Sequence, residues 1–216
     1  MKPVPDDVRL NQTYAHALAR VLVRPLLGTW VRPNHLTGLR LVLGLVACAF
    51  LAIGTPVMLL LSGVLWTATC VLDRADGELA RIGDMRSESG KVLDFYSDLL
   101  LDSLWFLAVG AALRNSTLGD SAIVLGVLCA VSMVVCILCA EWFERRSGPG
   151  VKTFYGVQRF HPDDALFLLA IFTWCHWLAP LLIAASICTP LIALVVVARC
   201  LALLRRQSTE RLASSK

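Results

Sequence analysis

Four aspartates lie between strongly apolar stretches of the chain, and this arrangement restricts the possible folds more than any other feature. They are Asp73, Asp76, Asp94 and Asp98. If the two segments that carry these aspartates are helical, Asp73 and Asp76 share a face of one helix, and Asp94 and Asp98 share a face of the next. The reason is that residues three or four apart are neighbours on a helix. Carboxylates at membrane depth are costly unless they are paired or bind a metal. The sequence therefore predicts two helices whose acidic faces meet.

The composition is that of an integral membrane protein. Hydrophobic residues make up 57% and charged residues 17% of the 216 residues, whereas soluble domains have about 45–50% and about 25%. The eight cysteines all lie in apolar runs, which favours packing roles over disulfides or metal sites. A membrane-spanning helix needs about 20 apolar residues. Six spans are predicted, at about residues 36–54, 57–80, 90–113, 121–142, 163–178 and 181–204.

The distribution of basic residues predicts the topology. Lysines and arginines cluster in the segments on one side of the six predicted spans, whereas the other side carries only Arg114. Basic segments remain in the cytoplasm, so both termini and the acidic motif are expected there. The predicted fold is an all-α integral membrane protein with six transmembrane helices and an N-terminal interfacial helix. Its expected parts are a juxtamembrane segment (1–35), a six-helix catalytic domain (36–204) and a cytoplasmic tail (205–216). Asn34 is predicted to cap the first spanning helix.

The residue types around the aspartates indicate hard divalent cations and a phosphate. Carboxylate oxygens suit Mg²⁺ or Mn²⁺, and the acidic faces carry no histidine or cysteine, which argues against zinc. Small residues at Gly77, Ala80 and Gly90 would let a phosphate approach closely, and Arg81 could bind it through two donors. Two metal ions and an arginine suggest substitution at phosphorus.

The motif resembles the signature of the CDP-alcohol phosphotransferases. The matching positions are Asp73, Asp76, Gly77, Ala80 and Arg81, followed after eight residues by Gly90, Asp94 and Asp98. The approach to the first span, with Pro33, Asn34, Thr37 and Arg40, is also similar to that family. The resemblance covers roughly residues 30–205 and agrees with the six predicted spans.

The resemblance implies a role for each matched residue. Asp73, Asp76, Asp94 and Asp98 would hold two divalent cations, Mg²⁺ or Mn²⁺, and Asp98 would also act as general base on the acceptor hydroxyl. The residues expected to bind the CDP-alcohol are Asn34, Thr37, Gly77, Arg81 and Ser87. The acceptor alkoxide would attack the phosphorus of a CDP-alcohol such as CDP-diacylglycerol, and CMP would leave.

The acceptor alcohol is left open by the sequence. The chain looks most like bacterial members near the di-inositol-phosphate-phosphate synthase and phosphatidylinositol-phosphate synthase branches, which take a phosphorylated polyol. Such an acceptor needs basic residues, and Lys152 and Arg159 are the candidates, with Arg145 and Arg146 in the same loop. The alternative is that these residues are ordinary cytoplasmic positive charge. A CDP-polyol could also replace CDP-diacylglycerol as the donor.

Two other classes compete with the enzyme. A cation-coupled transporter could use the same acids, but transporter sites usually lie near the middle of the membrane. A structural scaffold would give no reason for the aligned aspartates. The expected partners are the donor, the acceptor, the lipid bilayer and a second copy of the chain, without nucleic acid. The expected location is an inner or plasma membrane of bacterial type, with the active site facing the cytoplasm.

Overall fold

Every regular element in the described part of the chain is helical. The computed structural model describes residues 14–147, 153 and 165–214. The helices are α1 (Tyr14–Val23), α2 (Pro33–Ile53), α3 (Pro56–Ile82), α4 (Glu88–Ala112), α5 (Ser121–Ser147), α6 (Leu166–Trp174) and α7 (Leu178–Ser214). The all-α prediction is therefore confirmed.

Four helices within the described ranges are long and apolar enough to cross a membrane. They are α2, α3, α5 and the part of α7 from Leu178 to Arg205, with 21 to 28 residues each. The other two predicted spans coincide with α4, which carries the acids Asp94 and Asp98, and with α6, which has nine described residues. The protein is thus an integral membrane protein with at least four candidate spans.

The chain divides into two compact units. The first consists of Met1–Leu101 and Gly156–Trp177, and the second of Asp102–Tyr155 and Leu178–Lys216. The boundary falls inside α4, so the four aspartates of the motif all belong to the first unit.

Helices α2 and α3 form a tight hairpin in the first unit. Gly54 ends α2 with a φ of 74°, a left-handed conformation that glycine adopts without strain. Thr55 and Pro56 then start α3, since proline lacks an N–H and fits the first turn. The buried Ser62 hydroxyl donates to the Ala47 carbonyl at 2.8 Å. Because the hairpin is antiparallel, the start of α2 lies beside the acidic end of α3.

Helix α1 packs against this same end of the hairpin. Ala19 and Val23 are fully buried in a cluster with Leu36, Ala75 and Leu79. The apolar side chains of Leu18, Val21 and Leu22 point outward and are exposed. An apolar outer face on a short helix is what an interfacial helix needs.

Helix α6 packs along α3 in the first unit through two indole hydrogen bonds. Trp174 Nε1 donates to the Leu60 carbonyl at 3.2 Å, and Trp66 Nε1 donates to the Leu166 carbonyl at 3.1 Å. A Cβ atom on Gly63 would collide with the Trp174 ring. The small residue therefore allows the two helices to lie side by side.

The predicted cap at Asn34 is wrong. Helix α2 begins at Pro33, and its N-cap is Arg32, two residues before Asn34. The Arg32 backbone N–H donates to Nδ1 of His35 at 3.2 Å. Proline prefers the first helical position, which places Asn34 inside the first turn. Its side chain is then directed toward the start of α4, where its Oδ1 lies close to Gly90.

In the second unit, α5 packs closely against both α4 and α7. A Cβ on Gly126 would lie 2.8 Å from the carbonyl oxygen of Phe106, so the backbones of α4 and α5 approach closely. Cys200 Sγ donates to the Cys139 carbonyl at 3.3 Å, and all eight cysteines are free thiols. Arg199 of α7 donates to the Thr153 carbonyl at 2.8 Å.

Candidate active site

Three carboxylates converge at the junction of α3 and α4. One oxygen atom from each of Asp73, Asp76 and Asp94 lies within 4.8 Å of the others. These are oxygen donors only, the set that Mg²⁺ and Mn²⁺ prefer. The residues present therefore fit a hard divalent cation, and the predicted meeting of two acidic helix faces is observed.

Arg40 of α2 lies among these acids, although the sequence analysis gave it no role. Its Nη1 is 2.7 Å from Asp73 Oδ1 and 2.9 Å from Asp94 Oδ1, and its Nη2 donates to Asp98 Oδ1. Only 4% of its side chain is exposed. One guanidinium thus links acids from two different helices.

The two acids of α3 have further partners. Thr37 Oγ1 donates to Asp76 Oδ2 at 2.7 Å, and both residues are buried. Arg74 Nη1 donates to Asp73 Oδ2. Thr37 is predicted to bind the nucleotide, and in the structure its hydroxyl orients an acid of the cluster. A buried carboxylate needs such partners because burial removes its water.

Asp98 lies beside the converging triplet and is not one of its three members. Its side chain is 40% exposed, and its Oδ1 accepts from Arg40. The structure therefore joins three of the four predicted metal ligands directly and the fourth through Arg40. The carboxylate of Asp98 is thus held beside the triplet by Arg40 and is only partly buried.

A cavity of about 330 Å³ opens next to the carboxylates. This volume is at the lower end of the range for small-molecule sites, which is about 300–1,000 Å³. Its walls include all five residues predicted to bind the CDP-alcohol, namely Asn34, Thr37, Gly77, Arg81 and Ser87. The cavity also reaches Asp76 and Asp94, so a bound molecule would touch the acids.

Two cationic residues of the cavity wall were missed by the sequence analysis. They are Arg86, in the link after α3, and Lys91, in the first turn of α4. Because they flank Ser87, which was already predicted to bind the CDP-alcohol, the sequence could have marked them as further candidates. Together with Arg81 they place three cationic side chains on this wall, of which Lys91 is paired with Glu88 at 2.6 Å. Cationic groups favour a ligand with phosphate groups.

Gly90 allows a close approach of side chains at the cavity wall. A Cβ atom there would lie 2.9 Å from both Asn34 Oδ1 and Ser87 Oγ. Ser87 also accepts from the Gly90 N–H at 3.0 Å and so caps α4. The glycine thus lets two predicted nucleotide contacts, one from α2 and one from the link, lie against the same turn of helix.

Arg81 is held along the wall by its own helix. Its Nε donates to the Gly77 carbonyl at 3.2 Å, and its Nη2 lies 3.3 Å from Oε1 of the buried Glu78. A Cβ on Gly77 would be 3.6 Å from Arg81 Nη2, an ordinary contact. The backbone at Gly77 thus lines the cavity without crowding it.

The predicted acceptor contacts Lys152 and Arg159 lie outside the described residues. The two arginines that precede them in the chain are described in the second unit. Arg145 Nε donates to Glu141 Oε1 at 2.5 Å, and the Arg146 guanidinium lies 5.2 Å from the centre of the Trp142 ring.

One signal in the sequence could have identified Arg40. It is the only charged residue between positions 36 and 53, and charged side chains inside a span are functional candidates by default. Thr37 and Asp76, by contrast, are 39 positions apart, and no local pattern predicts that they meet.

Comparisons with known proteins show the family of the chain. Residues 30–204 match the family described as CDP-alcohol phosphatidyltransferase. The bifunctional IPC transferase and DIPP synthase of Archaeoglobus fulgidus is 27% identical over 180 residues, covering 77% of this chain and 34% of that protein. The chain thus spans about a third of the length of this relative.

A solved structure shares the fold. The phosphatidylinositol phosphate synthase of Mycobacterium tuberculosis, crystallised with CDP-DAG bound, superposes with a TM-score of 0.59 at 19% sequence identity. The match covers 89% of this chain and 92% of that one. The family match spans most of the chain and includes all eight positions of the aspartate motif. The chain therefore belongs to the CDP-alcohol phosphatidyltransferase family.

Proposed function

We propose that the protein transfers a phosphatidyl group from CDP-diacylglycerol to the hydroxyl of a polyol phosphate and releases CMP, as a step of phospholipid synthesis. The observation that carries the proposal is the cavity, in which all five predicted nucleotide-binding residues lie beside three converging carboxylates. Family membership supports the donor class.

The donor is proposed to bind along the positive wall of the cavity. Arg81, Arg86 and Lys91 would hold the two phosphates, because guanidinium and ammonium groups pair with phosphate oxygens. Asn34 and Ser87, which meet over Gly90, would hydrogen-bond the nucleoside. Gly77 would leave room for the phosphate that faces the acids.

The reaction is proposed to start at Asp98. Its exposed carboxylate accepts the proton of the acceptor hydroxyl, as a general base does. The oxygen then bonds to the phosphorus that carries the diacylglycerol, and the bond from this phosphorus to the oxygen of CMP breaks. Asp73, Asp76 and Asp94, with Asp98, would hold two divalent ions, Mg²⁺ or Mn²⁺, which when bound stabilise negative charge on the attacking and departing oxygens.

The acceptor is proposed to carry a phosphate of its own. Lys152 and Arg159 would bind that phosphate, as the sequence predicts. The printed names of the two relatives, a DIPP synthase and a phosphatidylinositol phosphate synthase, support a phosphorylated inositol. The first name also supports a CDP-polyol as the alternative donor.

The placement in the membrane is part of the proposal. Helix α4, with 25 residues, and the region of α6 would complete six spans, as the match to residues 30–204 supports. The excess of basic residues on one side supports cytoplasmic termini and a cytoplasmic active site in an inner or plasma membrane. The segments 1–35 and 205–216 would flank the catalytic domain 36–204, and two copies would associate in the bilayer.

The test is release of CMP by the purified protein in lipid nanodiscs. CDP-diacylglycerol or CDP-inositol is offered as donor, with inositol phosphate, glycerol phosphate or free inositol as acceptor, in Mg²⁺, in Mn²⁺ and in excess chelator. We expect CMP and a new phospholipid only with CDP-diacylglycerol, a polyol phosphate and a divalent ion.

Two variants with the same chemical change provide the control. Asp94→Asn alters a member of the converging triplet and should stop CMP release. Asp120→Asn alters an exposed acid before α5 and should keep wild-type rates. Full activity in chelator would refute the role of the metal ions, and product formed only from CDP-inositol would refute phosphatidyl transfer.

A further inference from the structure

Arg40 places a positive charge inside the acidic cluster, and the proposed reaction does not account for this charge. Arg40 enters from α2, whereas the acids that it contacts come from α3 and α4. A buried arginine is costly unless it is fully paired. Its placement seven residues into a candidate span also differs from that of basic residues at helix ends, which reach toward the membrane surface.

The geometry shows which atoms Arg40 uses. Its Nη1 contacts one oxygen of Asp73 and one of Asp94, and its Nη2 contacts one oxygen of Asp98. Two of these three acids belong to the converging triplet. A single guanidinium thus bridges carboxylates of two helices, which is also what a divalent ion at this junction would do.

We propose that Arg40 is a counter-cation built into the metal site, which stabilises the aspartate cluster when divalent ions are scarce and competes with these ions for its oxygens. The inference rests on the proposed metal site and concerns ion affinity and stability, not the transfer reaction. Arg40 is a positioning residue in this account, since it acts on the substrates through the aspartates.

The competition follows from elementary electrostatics. Four carboxylates crowded at one junction repel each other, and a positive charge in contact with three of them reduces the repulsion. The same charge repels an arriving cation. Removing it should therefore destabilise the ion-free protein and strengthen the binding of divalent ions, by about tenfold for a partly screened unit charge at this range.

The test measures ion binding and stability without turnover. Wild-type protein, Arg40→Met and Arg40→Lys are prepared as full chains in nanodiscs. Binding of Mn²⁺ is followed by the electron paramagnetic resonance signal of the free ion, and thermal unfolding is recorded in chelator and in saturating Mn²⁺. Arg114→Met is the matched control, because it removes the same charge from an exposed position outside the cavity.

We expect Arg40→Met to bind Mn²⁺ about tenfold more tightly than the wild type. Its unfolding temperature should fall in chelator and recover in Mn²⁺. Arg40→Lys keeps the charge and should bind Mn²⁺ nearly as the wild type does. If Arg40→Met does not fold in chelator, the Mn²⁺ affinity of Arg40→Lys is compared with that of Arg114→Met instead. The two affinities should then be nearly equal, and a tenfold gain in Arg40→Lys would contradict the proposal.

Three results would overturn the proposal. They are unchanged or weaker Mn²⁺ binding by Arg40→Met, an equal loss of stability with and without Mn²⁺, or a tenfold gain in Arg40→Lys as well. Because neither readout uses CDP-diacylglycerol, a failure here is distinct from a failure of the proposed reaction, which appears as missing CMP release in the wild type.

Discussion

The two pairs of aspartates differ in how the protein surrounds them. On α3, the side chain of Asp73 is 19% exposed and Asp76 is buried, and Arg74 and Thr37 contact them from inside the protein. The side chains of Asp94 and Asp98 on α4 are 45% and 40% exposed. The motif looks symmetric in the sequence, yet the pair on α3 is the more deeply buried, and each pair contributes one acid, Asp76 or Asp94, to the cavity.

This difference suggests a division of work between the helices. An enclosed carboxylate with fixed hydrogen bonds keeps its orientation, which suits a ligand that must hold an ion in place. An exposed carboxylate can meet an arriving hydroxyl, which suits a general base. We infer that α3 supplies the more rigid carboxylates of the site and that α4 supplies the carboxylate that meets the acceptor hydroxyl.

The largest expected effect is on turnover, when Asp98 of α4 is replaced. Asp98→Asn removes the proposed base with little change in volume, so turnover should fall by about 10²–10⁴-fold. Binding of CDP-diacylglycerol should stay within a few-fold of the wild type, because the cavity walls are unchanged. Stopped-time CMP assays and equilibrium binding of the labelled donor measure the two quantities.

The control for this variant lies one turn further along α4. Asp102→Asn makes the same change at a residue that belongs to the second unit and should retain most of the activity. Loss of donor binding in Asp98→Asn, with an unchanged rate per bound donor, would contradict the role as base. Equal damage in both variants would remove the distinction between them.

A smaller effect, on stability, is expected when the hydrogen bond to the buried Asp76 of α3 is removed. Thr37→Val deletes the donor to Asp76 and leaves a buried carboxylate oxygen without this partner. The free energy of unfolding should fall by about 1–3 kcal/mol, as measured by denaturation in detergent with Mg²⁺ present. Thr37→Ser keeps the hydroxyl and should lose much less. Equal losses in both variants would show that the methyl group, and not the hydrogen bond, matters.

The smallest expected effect is on donor binding, when the close packing around Gly90 at the cavity wall is disturbed. Gly90→Ala would place a Cβ 2.9 Å from Asn34 and Ser87, and both side chains must shift. The resulting cost of about 1 kcal/mol would weaken donor binding about fivefold. Gly38→Ala, on the same α2 helix as Asn34 but with open space around it, should bind the donor normally. Unchanged binding by Gly90→Ala would show that Asn34 and Ser87 do not contact the nucleotide.

Much of this site could be predicted because helical periodicity is local. The spacing of the four aspartates, Gly77 and Gly90 determines which faces they share, and the charge distribution distinguishes the two ends of the helices. The residue types alone indicate a hard cation and a phosphate. These inferences require only that the two segments be helical, and apolar segments of this length in a membrane protein have few other options.

The contacts between helices were decided by tertiary structure. Whether Arg40 reaches Asp73 and Asp98, or Thr37 reaches Asp76, depends on how α2 crosses α3 and α4, and residue spacing does not contain that crossing. The start of α2 is a smaller example, since Pro33 took the first helical position and turned Asn34 from an expected cap into a wall of the cavity. The sequence by itself predicted the reaction class and the candidate metal ligands. The packing of three helices decided how deeply each acid is buried, because burial depends on neighbours that are distant in the chain.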